Sequence, residues 1–163
     1  MSTQSPHPET PERAGDPTPD AAGPLAGLGA LDPLDAELVW AAAHVARTRC
    51  RGDDHTMAAA GRSRDGRIVT AVNAYHFTGG PCAELVLIGT AAAQGVYELD
   101  TVVAVGDRER GVVPPCGRCR QVLLDYFPGL RIVVGGGDRL RSVPVAALLP
   151  ESYVWADHQL PSA

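Results

Sequence analysis

Apolar and polar positions along this chain recur with two periods, one typical of helices and one typical of strands. Asp32 and Pro33 form a typical helix start, and apolar side chains then recur at helical spacing to about Arg49. The predicted elements that follow are a β-hairpin of strands at 56–63 and 67–74, a helix at 82–94, a strand at 100–105, a helix at 116–127, a strand at 130–134 and a short helix at 143–149. This order predicts an α/β fold, a three-layer α/β/α sandwich with a single mixed β-sheet.

Proline is concentrated before the first predicted helix. Half of the 14 prolines fall within the first 33 residues, among Ser, Thr, Asp, Glu and Gly. Such a composition buries too little apolar surface to order itself. We therefore predict a disordered tail over 1–31, one domain over 32–157 and a short C-terminal tail over 158–163.

Charge and cysteine content narrow the class of function. The net charge of −5 and the pI near 5.4 argue against a polynucleotide partner, and a small neutral or cationic substrate fits better. The sequence has no secretory signal and no apolar run that could span a membrane, so the expected location is the cytoplasm. Four cysteines in such a chain are better interpreted as metal ligands than as disulfide partners.

Three of the cysteines lie in two groups, each at a predicted helix start. Free backbone amides and the helix dipole favour a thiolate at such positions. Cys116 and Cys119 fall on one helical face, and Cys82 must come from another helix. Three thiolates suit Zn²⁺ and leave a fourth position open for water, which is the arrangement of a catalytic zinc site.

Glu84 lies two residues after Cys82, where a carboxylate could act as general base and acid on water at the metal. The alternatives are a closed structural zinc site with Cys50 as fourth ligand, three buried thiols, or a carboxylate that only stabilises a helix start. A closed site would leave Glu84 unexplained.

Two arginines flank Cys119. Three thiolates and one hydroxide around Zn²⁺ carry a net charge of about −2, which needs positive charge or amide donors nearby. Arg118, between the two cysteines, and Arg120 are therefore predicted partners of the ligands, with Arg118 favoured.

A Cys-x-Glu segment followed by Pro-Cys-x-x-Cys is the signature of zinc-dependent nucleobase deaminases. The chain carries both, and it resembles the cytidine deaminase superfamily, with the stretches 72–85, 116–125 and 148–155 similar to blasticidin S deaminases. The resemblance covers about 53–155. It implies the same sandwich fold, one Zn²⁺ per subunit, hydrolytic deamination of a cytosine nucleoside, and a homotetramer.

The resemblance also implies a set of substrate contacts. These are Thr56, Asn73, Ala83, Tyr153 and Trp155. Asn73 could instead form a turn at a strand end. Tyr75 stands where cytidine deaminases carry a glutamate, which favours blasticidin S as substrate, whereas His55 beside Thr56 leaves cytidine or deoxycytidine open.

Two other classes of function remain. One is a zinc-stabilised module that binds a nucleoside without converting it. The other, an editor of polynucleotides, ranks last because the chain is acidic and lacks a basic, aromatic groove.

Overall fold

The computed structural model describes Leu28 and residues 31–154. The predicted tails at 1–31 and 158–163 lie outside this range, apart from Leu28 and Leu31, and the domain limits remain predictions. The Leu31 amide donates to the Leu28 carbonyl at 3.1 Å, and both side chains pack against one of the two apolar cores.

The first helix, α1, spans Pro33–Arg49 as predicted. The Asp32 side chain accepts a hydrogen bond from the Leu34 amide at 2.9 Å and so caps the helix start. The buried face of α1 is made of small and aliphatic side chains, Leu38, Val39, Ala42, Ala43 and Ala46.

In the part of the chain that the structure describes, the sheet has six strands. They are β1 (Met57–Ser63), β2 (Ile68–Val72), β3 (Leu99–Gly106), β4 (Gly111–Val112), β5 (Arg131–Val134) and β6 (Arg141–Pro144). Their order is β2-β1-β3-β5-β6, with β4 paired to the end of β3. The β1–β2 hairpin is antiparallel as predicted, and β3 and β5 are parallel, so the sheet is mixed.

Helices cover both faces of this sheet. Alternate residues of β3 belong to different cores: Val102 packs with α2 (Ala83–Ala93) and α3 (Gly117–Tyr126), and Val103 packs with α1. The predicted three-layer α/β/α sandwich is confirmed.

Two predictions about local structure were wrong. The predicted helix at 143–149 begins instead as strand β6, and only Val145–Leu148 forms a short 3-10 helix. The segment between the predicted strand at 100–105 and the predicted helix at 116–127, for which no element was predicted, contains strand β4. Both strands are short, and β6 is set by its pairing with β5, in which Val143 lies opposite Ile132, rather than by a local pattern.

The topology brings the starts of α2 and α3 together. Strand β1 is antiparallel to both β2 and β3, so β2, β3 and β5 run in one direction. Helix α2 follows β2, and α3 follows β3 and β4, so both helices begin at the same edge of the sheet. Within the described residues, no helix combines the length and the apolar character needed to cross a membrane.

Candidate active site

Three cysteine side chains meet where α2 and α3 begin. Cys82 is the N-cap of α2, Cys116 is the N-cap of α3, and Cys119 lies in the first turn of α3. Their sulfur atoms all lie within 4.8 Å of one another, with 3.8 Å between Sγ of Cys82 and Sγ of Cys116. Cys119 is buried and Cys116 is exposed, so the group reaches the surface on the Cys116 side.

The chemistry of these donors fits a soft divalent metal. Burial raises the pKa of Cys116, but hydrogen bonds from the backbone amides of Cys119 and Arg118, with those from the neighbouring thiols, lower it below its usual value. Burial, with the adjacent negative groups, raises the pKa of Cys82 and of Cys119. Three thiols at this spacing ionise together only when a cation lies between them.

Cys50 does not join this group in the part of the chain that the structure describes. It caps the C-terminus of α1 and packs against the core on the other face of the sheet. The described cysteines therefore do not form a closed four-cysteine site. Burial raises the pKa of the Cys50 thiol, as expected for a thiol packed against a core.

Glu84 lies in the first turn of α2 and is only 5% exposed. Burial raises the pKa of its carboxyl group, although hydrogen bonds from its own backbone amide and from the Cys119 thiol oppose that shift. The hydrogen bond with Cys119 places the carboxyl group beside the three sulfur atoms. A buried carboxyl group with a raised pKa is suited to accept and return a proton near neutral pH.

The side chain of Asn73 is turned to the backbone of the segment 54–57. Its Oδ1 accepts hydrogen bonds from the amides of Thr56, at 2.7 Å, and Met57, at 2.9 Å, and its Nδ2 donates to the Asp54 carbonyl at 3.4 Å. Asn73 therefore orders the segment that carries Thr56. Its predicted contact with substrate stays a prediction.

Of the other predicted substrate contacts, the structure describes Ala83 and Tyr153. Ala83 is fully buried directly after Cys82. Tyr153 is half-exposed, and its carbonyl accepts a hydrogen bond from Gln121 Nε2 at 2.8 Å, which joins the C-terminal segment to α3. Trp155 lies outside the described residues.

The two arginines differ in what they contact. Arg120 donates from Nε to the Pro115 carbonyl at 2.8 Å and from Nη1 to the Leu148 carbonyl at 3.0 Å, so it braces the backbone just before Cys116. The side chain of Arg118 is exposed, and its backbone amide serves Cys116. Gln121 was not predicted to have a role, because its partner Tyr153 lies far from it in sequence.

Comparisons with known proteins identify deaminases as relatives of this chain. No family model matches the chain. A blasticidin-S deaminase from Bacillus cereus is 33% identical over 128 residues, which cover 73% of this chain and 91% of that protein. A cytidine deaminase from Halalkalibacterium halodurans is 30% identical over 99 residues, or 58% of this chain and 74% of that protein.

Solved structures agree with the sequence relatives. The crystal structure of cytidine deaminase from Mycobacterium leprae matches with a TM-score of 0.62 and 30% identity, covering 74% of this chain and 100% of that one. With this fold and these relatives, the chain belongs to the cytidine deaminase superfamily of hydrolytic deaminases. The resemblance given by the sequence motifs is thereby confirmed.

Proposed function

We propose that this protein is a zinc-dependent hydrolytic deaminase that replaces the amine of a cytosine nucleoside with a carbonyl oxygen and releases ammonia. The observation that carries the proposal is the buried Glu84 carboxyl group next to three clustered thiols. A metal that only stabilised the fold would need no such acid at its side.

The chain's own residues account for the proton transfers. Zn²⁺, one per subunit and held by Cys82, Cys116 and Cys119, would supply the Lewis acidity that makes water a nucleophile near neutral pH. Glu84 takes a proton from the attacking water and gives it to the ring nitrogen beside the amine-bearing carbon, which becomes electrophilic. Glu84 then transfers the second proton of that water to the amine, and ammonia leaves as the carbonyl forms.

Two arginines in the first turn of α3 support Cys116 through backbone contacts. Arg120 holds the Pro115 carbonyl and so fixes the approach to Cys116, and the backbone amide of Arg118 bonds the Cys116 sulfur. Both residues thereby support the ligand set, Arg120 through the backbone and Arg118 through its amide.

Blasticidin S is the proposed substrate, and its deamination would give resistance to this antibiotic. The Bacillus cereus relative is named for that reaction, and Tyr75 occupies the position of the glutamate of cytidine deaminases. The proposed contacts are Thr56, Asn73, Ala83, Tyr153 and Trp155. Cytidine or deoxycytidine is the second candidate, because other relatives are named cytidine deaminases.

Ammonia release with blasticidin S, cytidine and deoxycytidine tests the reaction. Glu84→Gln should lower kcat by about 10²-fold or more, because it removes the proton carrier. Glu98→Gln is the matched control, since Glu98 is exposed and paired with Arg64 at 3.1 Å. Full activity of Glu84→Gln would contradict the proposed role of Glu84 in proton transfer. Stoichiometric protection from the antibiotic without ammonia would favour a binding module instead.

We also propose a cytoplasmic homotetramer in which neighbouring subunits help to complete each pocket. Free thiol ligands favour a reducing compartment. Phe77, in the loop before Cys82, is 85% exposed, and α2 carries the half-buried apolar side chains Leu85 and Ile88. Native mass spectrometry should show four chains and four metal ions; a monomer would contradict the assembly.

A further inference from the structure

The turn at 107–110 is hydrogen-bonded to the start of β1, at the edge of the sheet where β3 ends. The Asp107 amide donates to the Thr56 carbonyl at 3.0 Å, and Arg110 Nη2 donates to the same oxygen. Arg110 also donates from Nη2 to Asp107 Oδ1 at 2.7 Å and from Nε to the Asp107 carbonyl at 3.3 Å. The Thr56 carbonyl is therefore held by two donors from one turn.

This turn has an unusual backbone. Arg108 and Glu109 both adopt positive φ angles, 50° and 60°, which are unfavourable for residues with a side chain. Such a conformation persists only where surrounding contacts fix it. Arg108 contacts Gly52 and Asp53, but both charged side chains are well exposed, so the pair contributes little. Asp107 is only 11% exposed, which makes its pair with Arg110 the stronger one.

Gly106 leaves the room that Arg110 needs. A Cβ at position 106 would lie 2.8 Å from Cβ and 2.9 Å from Nε of Arg110. Arg110 thus folds back over the end of β3, and a side chain at 106 would push it away from Thr56. The requirement for glycine at this position comes from a close approach and not from backbone conformation.

Hydrogen bonds of side chains and backbone connect Arg110 to the segment that carries Cys82. The amide of Thr56 bonds to Asn73 Oδ1, and the next residue, Ala74, donates its amide to the Pro81 carbonyl at 3.1 Å. Pro81 directly precedes Cys82. Displacement of the Thr56 carbonyl would therefore move the wall of the proposed pocket relative to the metal ligands.

We propose that Arg110, with Asp107, is a positioning residue for substrate binding, because it fixes the Thr56 carbonyl and with it the segment 54–57. The inference rests on the proposed function, in which Thr56 contacts the nucleoside. Arg110 touches neither the three thiols nor Glu84 through any described hydrogen bond, so it acts through the shape of the pocket and not on the reacting bond.

Steady-state kinetics of the zinc-loaded protein with blasticidin S and with cytidine test this role. Arg110→Met should raise KM by about tenfold and leave kcat within about twofold, because substrate binding and not proton transfer is disturbed. Arg110→Lys should recover part of the loss, since an ammonium group still donates to the Thr56 carbonyl. Gly106→Ala should reproduce the rise in KM with Arg110 still present.

Arg131→Met is the matched control. Arg131 also donates to a backbone carbonyl, that of Ser142 at 2.6 Å, but it lies at the opposite edge of the sheet. Its KM should equal that of the wild type. A KM for Arg110→Met within twofold of the wild-type value, or equal losses of kcat, bound zinc and folded protein, would overturn the proposal.

Hydrogen exchange separates this proposal from the proposed function. In Arg110→Met the amides of Thr56 and Met57 should exchange at least about tenfold faster, while those of the β3–β5 pairing stay unchanged. If the wild type deaminates neither nucleoside, the proposed function fails, but the exchange result still decides whether Arg110 fixes this segment. Unchanged exchange at Thr56 and Met57 would refute the positioning role.

Discussion

At the scale of single residues, Cys116 differs from the other two thiols of the candidate site. Its pKa is lowered although burial opposes ionisation, because backbone amides at the start of α3 donate to its sulfur. Cys82 and Cys119 have raised pKa values, for which burial is the main cause. Cys116 is therefore the thiol whose ionisation the backbone favours, whereas a bound cation would have to offset the effect of burial at Cys82 and Cys119.

Cys116→Ser should abolish tight metal binding. A serine hydroxyl does not ionise near neutral pH and is a poor ligand for Zn²⁺, so metal per chain should fall from about one to below about 0.1 and activity by at least about 10²-fold. Metal analysis of the purified protein measures the metal content per chain, and ammonia release measures the activity. Cys50→Ala is the control and should keep its metal, because Cys50 lies in the other core. Retention of stoichiometric metal by Cys116→Ser would rule out Cys116 as a ligand.

At the scale of elements, the loop between β2 and α2 sets the position of Cys82. The amide of Ala74 bonds to the Pro81 carbonyl, and the amides of Gly79 and Gly80 bond to the His76 carbonyl at 2.9 and 3.3 Å. A Cβ at Gly80 would lie 1.8 Å from the Ala74 carbonyl oxygen, a backbone atom that cannot rotate away. The loop therefore closes only around glycine at this position.

Gly80→Ala should lower the free energy of unfolding by about 2 kcal/mol and speed the loss of metal to a chelator, because relief of the clash opens the loop next to Cys82. Chemical denaturation and absorbance of a chelator dye measure the two effects. Gly129→Ala is the control, since a Cβ there meets no atom within 4 Å. Wild-type stability for Gly80→Ala would contradict the close approach.

Much of the fold and of the candidate site follows from local sequence. Asp32-Pro33 marked the start of α1, and the spacing of Cys116 and Cys119 predicted two sulfur atoms on one helical face, because caps and helical periodicity depend on neighbours in sequence. Strand β6 could not be predicted in this way, because it forms by pairing with β5, a segment that is not its neighbour in local sequence pattern. The contacts of Asp107 and Arg110 with Thr56 could not be predicted either, because these residues are more than 50 positions from Thr56.

At the scale of the whole molecule, the sheet separates two cores that serve different purposes. The core under α2 and α3 contains Ala83 and Cys119, and Cys82 packs against it, so the candidate site is built into that side. The core under α1 contains none of the proposed ligands. Because side chains alternate along a strand, the neighbouring β3 residues Val102 and Val103 lie in different cores.

Val102→Ala and Val103→Ala should therefore have similar effects on stability and different effects on the site. Both side chains are almost fully buried, at 1% and 0% exposure, so each truncation should lower the free energy of unfolding by about 2 kcal/mol. Only Val102→Ala creates space in the core that contains Cys119, so only this variant should release metal faster at a denaturant concentration where both remain folded. Equal rates of metal transfer to a chelator would show that the two cores move as one unit.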